Sequence, residues 1–171
     1  AGAAGCTGDG DGAATAPAPA PARTGSGYFV GPGSGGVGAT LDMHGSDPVS
    51  VAIDDALIAR GVGAGDEPPA VGIASVVNEG RPSVPAPRFV AVLADGHGAV
   101  PIPRAEAVLS AREGPAARRA LRLLARGPAR VPAEGAATYY VVLSDLPVAA
   151  VGSVRMVVVP GEPITLEARR R

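Results

Sequence analysis

Apolar residues alternate with period two most clearly near the C-terminal end, in three short runs. Tyr139, Val141 and Leu143 fall on one face of an extended ribbon and Tyr140 and Val142 on the other. Apolar side chains on both faces place such a strand in the middle of a sheet or sandwich. In the next run Val154, Met156 and Val158 oppose Arg155, Val157 and Val159, and Pro160-Gly161 then turns the chain. Ile164, Leu166 and Ala168 alternate with Thr165, Glu167 and Arg169, the pattern of an antiparallel strand with one wet face.

Earlier in the chain the same period predicts a strand over 49–58, with Val49, Val51 and Ile53 on one face and a bulge at Asp54-Asp55. A second covers 70–77, with Val71, Ile73 and Val77 inward. Phe89, Ala91 and Leu93 share a face of a third over 88–94, and Asp95-Gly96 is a hairpin signal leading to a short run at 99–102. The period changes between 104 and 126. RAEAVLSAREG and PAARRALRLLARG predict two helical pieces, the second with Pro115 in its first turn and Gly127 beyond its end. Strands at 138–143, 154–159 and 163–169 complete the set. The predicted fold is mainly β: an immunoglobulin-like antiparallel two-sheet sandwich of about seven strands, with a short helical insertion around 104–126.

Composition adds little chemistry and some biology. The 15 basic side chains are all Arg, Asn78 is the only Asn, and Gln and Trp are missing. Such usage is what GC-rich codons favour and fits a high-GC bacterium. A net charge of −1 supplies no global field to attract nucleic acid. No run approaches the roughly 20 apolar residues of a membrane-spanning helix.

Candidate chemistry is sparse. Two overlapping Gly-x-Gly-x-x-Gly matches, Gly31/Gly33/Gly36 and Gly33/Gly35/Gly38, lack the following helix that a dinucleotide site needs. A phosphate-binding P-loop requires a Lys, and there is none. His44 and His97 each sit in a Gly-flanked loop, and no Gly-x-Ser-x-Gly occurs. Asp54-Asp55 on a strand point to opposite faces and make no glycosidase pair, and Asp66-Glu67 lie in a loop. Arg118, Arg119, Arg122 and Arg126 form a solvated helix face, or alternatively an anion or phospholipid-headgroup patch. No catalytic, cofactor or metal residue is assigned. Met43-His44 with His97 and Met156 are the side chains that could serve a soft metal such as Cu(I).

Ala3-Ala4-Gly5-Cys6 resembles the bacterial lipobox, with Ala3 where that motif usually has a larger aliphatic residue. The resemblance implies lipid attachment at Cys6, the lone cysteine. The following 7–27 stretch is low in complexity, and its Ala16–Ala22 Ala-Pro repeat predicts a stiff extended spacer at roughly 3.1 Å per residue. The expected organisation is a tether over 1–27, a Gly-rich lead-in over 28–48 and one domain over 49–171. From Val71 onward, Val77-Asn78-x-Gly80, Phe89 with Val92-Leu93-x-Asp95-Gly96, and Val131-Pro132-x-x-Gly135 before Tyr139–Leu143 resemble small secreted bacterial lipoproteins of unknown function with an Ig-like domain. That likeness implies a lipid-anchored or secreted, extracytoplasmic, non-enzymatic binding or structural module of the cell envelope. Its partners would be the membrane, through the lipid, and a protein or cell-wall component, with no cofactor. The VPAEG lead-in at 131–135 and the strands after it also resemble PCuAC-type copper chaperones, though the His-x-Met pair of that family does not occur. A copper carrier is thus the alternative, and a small secreted hydrolase the second alternative.

Overall fold

The computed structural model describes residues 27–31, 36–63, 68–124, 127–158 and 162–169. Cys6, the Ala-Pro spacer, Asp66-Glu67, Arg126 and the Pro160-Gly161 turn lie outside the described residues.

The strands are β1 (Tyr28–Gly31), β2 (Val37–Asp42), β3 (Ala70–Asn78), β4 (Val84–Pro85), β5 (Arg88–Leu93), β6 (Ala99–Ile102), β7 (Arg130–Val131), β8 (Gly135–Leu143), β9 (Val151–Val157) and β10 (Ile164–Ala168). The helices are α1 (Pro48–Ile58), α2 (Ala105–Ser110) and α3 (Pro115–Leu123). Eight strands form one antiparallel sheet in the order β6-β5-β9-β10-β1-β2-β3-β8, and β4 and β7 pair separately as a ribbon. The sheet curls until its edges meet: Arg104, just past β6, bridges to Val141 of β8, and the Val142 N–H donates to the Pro103 carbonyl at 2.9 Å. The mainly β, antiparallel expectation holds. The hydrogen bonds trace a single curled ladder and do not divide it into the two sheets of an immunoglobulin-like sandwich.

One apolar cluster fills the inside of the curl. Phe29, Leu41, Phe89, Tyr139, Met156 and Leu166 are its largest members. A second cluster lies between the outer face of β3 and β8 and the three helices, where Val71 and Val142 meet Ile53, Leu57, Leu109 and Ala120. Each of the large aliphatic side chains buried there contributes roughly 1.5–3 kcal/mol. This helical layer explains why β8 is apolar on both faces. It is an edge strand in the ladder order, and helices rather than a second sheet cover its outer side.

Three expectations need correction. The stretch 49–58 is helix, not strand. The Asp47 carboxylate accepts from the Val49 and Ser50 N–H groups, Pro48 opens the first turn, and Ile53, Ala56 and Leu57 recur at helical spacing. The lead-in 28–48 contains β1 and β2, which sit between β10 and β3 in the sheet. In β3 the face is reversed. Ala74 and Val76 point into the curl, Val71 lies under the helices, and Val77 is 44% exposed. The two helical pieces expected within 104–126 are α2 and α3, and Met156 is in the core as its alternation with Val154 implied.

Candidate functional site

The registers bring several loops to one end of the curled sheet. Tyr28 pairs with Asp42, Ala70 with Leu143, Glu167 with Ser153, and Leu93 with Val151. The segments after β2, before β3, after β8 and between β5 and β6 therefore share that end, and both histidines lie on them.

A cleft of about 540 Å³ opens there. Met43, His44 and Gly45 from the end of β2, Asp54 from α1, Pro68–Val71 from the start of β3, and Leu146–Ala149 after β8 line it. Its walls are largely apolar, and His44 and Asp54 are its ionisable side chains. Asp54 Oδ1 is buried and has no hydrogen-bond partner among the described residues. Burial, and next the neighbouring Asp55 charge, push the Asp54 carboxyl above its ordinary value. The reading of Asp54-Asp55 as a strand pair is corrected with the helix: Asp54 turns to the cleft and Asp55 is exposed.

The backbone under the cleft is tightly fixed. Gly27, at φ +62°, lies against the His44 ring, so any side chain there meets both a disfavoured conformation and the imidazole. Its carbonyl accepts from the Met43 N–H at 2.7 Å. Gly45 leaves room for Ser50 Oγ, and its N–H donates to the Val71 carbonyl at 3.1 Å. Ser50 is fully buried and donates to Asp47 Oδ2 at 2.6 Å, while Tyr140 OH donates to Asp47 Oδ1 at 3.2 Å. Burial alone would raise the Asp47 carboxyl, but the bonds from Ser50, Val49 and Tyr140 outweigh it and hold the group below its ordinary value. Ser50 Oγ is thus spent on the Asp47 carboxylate that caps the helix. Sequence reasoning missed this cap, although Asp47-Pro48 is its signature.

The other singled-out side chains do not converge on the cleft. His97 occupies the β5–β6 turn at the same end, where its N–H donates to Asp95 Oδ1 at 2.9 Å, and it is not among the lining residues. Met43 lines the cleft but is only 2% exposed, with its sulfur packed toward Gly72; Met156 is wholly buried. Among the described residues no three His, Cys, Asp or Glu side chains cluster as a metal site would need. The glycine-rich segment joins β1 to the antiparallel strand β2, so the helix required by a dinucleotide fingerprint is replaced by a strand.

A second cavity of about 410 Å³ lies between α2 and α3, lined by Arg104, Glu106, Ser110, Leu121 and Leu124 among others. Glu106 Oε1 accepts from the Gly127 N–H at 3.2 Å, and Arg104 stands 5.9 Å over the Tyr139 ring. The Tyr139 hydroxyl donates to the Pro128 carbonyl at 3.1 Å. These contacts tie the chain after α3 to α2 and β8, which is a structural task.

No protein-family profile, curated protein or solved structure matches the chain. Among the described residues no helix is long and apolar enough to cross a membrane.

Proposed function

We propose that this protein is a non-enzymatic binding module of the bacterial cell envelope, tethered through a lipid on Cys6, with its ligand taken in the His44–Asp54 cleft. The observation that carries the binding role is the unpartnered Asp54 oxygen in an apolar-walled cleft. A buried acceptor lacking a partner costs about 1–3 kcal/mol, and a ligand donating to it recovers that cost. The cleft therefore fits a small molecule with an apolar body and a cationic or N–H donor group.

Tethering is supported by Ala3-Ala4-Gly5-Cys6 and the low-complexity segment after it. Intact mass of protein taken from the native membrane fraction tests it. A diacylglyceryl-Cys6 N-terminus is the expected result; an unmodified chain with residues retained before Cys6 removes the anchor. For the cleft, backbone amide spectra are recorded with benzylamine and with benzoate. Shifts at Gly45, Val71 and Val148 with the amine alone, lost in Asp54→Ala, are expected. Equal or absent responses reject this ligand class.

One observation favours the copper-carrier alternative: Met43 and His44 line the same cleft, with His97 at the same end of the sheet. Cu(I) competition against a chromogenic chelator separates the two readings. A carrier withdraws copper from the chelator and loses this in His44→Ala.

A further inference from the structure

The outer face of the helical layer combines exposed aliphatic side chains with arginines. On α1, Ile53, Ala56 and Leu57 face the sheet, so Val51 and Ile58 project away from it, 50% and 54% exposed. On α3, Ala117 and Ala120 are buried, which turns Arg118, Arg119, Arg122 and Leu123 outward, Leu123 being 48% exposed. The two helices pack side by side, and a shallow apolar groove lined by Val51, Ala52, Ala116 and Leu123 runs between them, with Asp55 and Arg119 on its rim. Val51, Ile58 and Leu123, three of the four large exposed aliphatic side chains among the described residues, thus lie on these two helices, with Arg119 at the groove and Arg118 and Arg122 exposed on the same helix α3. Asp55 on α1 and Glu113 before α3 are the exposed acidic groups nearest in sequence to this face, Asp54 being half-buried at the cleft. Arg60, past the end of α1, reaches Gly114 at the start of α3 and adds a further positive charge.

We infer that this α1–α3 face docks on a bilayer surface carrying anionic phospholipids. Charge complementarity selects this occupant. Guanidinium forks match phosphate oxygens, and the neighbouring aliphatic side chains enter the acyl boundary while the arginine stems lie along it. The chain as a whole has a net charge of −1, so the attraction is local to this face. The inference does not depend on a lipid at Cys6, and its test uses the full chain without lipid, so the two ideas fail separately.

The test is co-sedimentation with vesicles of phosphatidylcholine alone or mixed equally with phosphatidylglycerol. Binding to the mixed vesicles only is expected, weakening several-fold between about 0.05 and about 0.5 M salt as surface charges are screened. Arg118→Gln/Arg119→Gln/Arg122→Gln should lower partitioning roughly a hundred-fold, since each arginine near an anionic surface contributes about five-fold. Arg88→Gln/Arg155→Gln/Arg169→Gln removes equal charge from exposed positions on or beside the strands and should leave partitioning within a few-fold of the parent. All these arginines are exposed, and circular dichroism checks that each variant is folded. The inference is overturned by no binding to mixed vesicles, by equal binding to phosphatidylcholine alone, or by equal losses in the two triple variants.

Discussion

Asn78 is one of two polar residues in the buried set, and all of its bonding capacity used here goes to backbone. Its Nδ2 donates to the Pro82 and Pro132 carbonyls at 2.9 and 3.0 Å, and Oδ1 accepts from the Gly80 N–H at 3.0 Å. The side chain thereby fastens the turn after β3 to the segment entering β8. Asn78→Ala is expected to destabilise by roughly 1–3 kcal/mol in urea unfolding, because it removes the partner of three backbone groups. A cost below about 0.5 kcal/mol would show that water replaces the amide. Asp47 and Asp54, one helical stretch apart, respond oppositely to pH. The Asp47 carboxyl is held below its ordinary value of 3.8, so its stabilisation is present above that pH and is lost as pH falls through the folded value. The Asp54 carboxyl is raised above 3.8, so its ionisation costs stability as pH rises from there through its folded value. Asp54→Asn should therefore raise Tm at neutral pH, with the gain shrinking as pH is lowered toward 3.8. A variant that melts below the parent at neutral pH would contradict the burial argument. Stability given up at Asp54 is consistent with a binding role for that carboxylate.

Among the elements, α1 is the instructive one. Val49, Val51 and Ile53 alternate as a strand would, and β-branched residues favour that reading. The helix forms because Asp47 and Pro48 start it and because Ile53, Ala56 and Leu57 reach the outer face of β3 and β8 together. The contrast between neighbouring positions is testable. Ile53→Ala should cost about 2–5 kcal/mol, whereas Val51→Ser, at a half-exposed position, should stay within about 0.5 kcal/mol of the parent. Equal costs would mean that α1 sits in a different register on the sheet. Strand β3 teaches the same lesson from its reversed face. Val71, Ile73 and Val77 are apolar at one spacing and Ala74 and Val76 at the other. Which set enters the curl depends on the partners, Leu41 facing Ala74 and Ala39 facing Val76 in β2.

Taking the molecule whole, β1 and β2 join the two halves of the sheet. Phe29 pairs with Leu41 of β2 on one side and Ala168 of β10 on the other, so β1 is enclosed by partners from both ends of the chain. A chain truncated to 49–171 is expected to lose cooperative thermal unfolding, while one truncated to 27–171 keeps it. Cooperative melting of the shorter chain would restore the reading of 28–48 as a lead-in. The same long-range pairing gathers the His44 loop, the start of β3 and the segment after β8 into one cleft. The residues lining that cleft run from Met43 to Ala149 in sequence, and no local motif joins them.

From its residues alone the chain shows antiparallel β structure, helices after residue 104, the inward placement of Met156, and the alternating faces of β5, β8 and β10. Each of these follows from local periodicity or a local breaker, which neighbouring side chains display directly. Closure into one curled sheet, the helical cover over β3 and β8, and the placing of His44 and Asp54 on one cleft came from tertiary structure. They depend on strand order, and strand order is set by which buried faces complement one another across the whole fold, information that no short window contains.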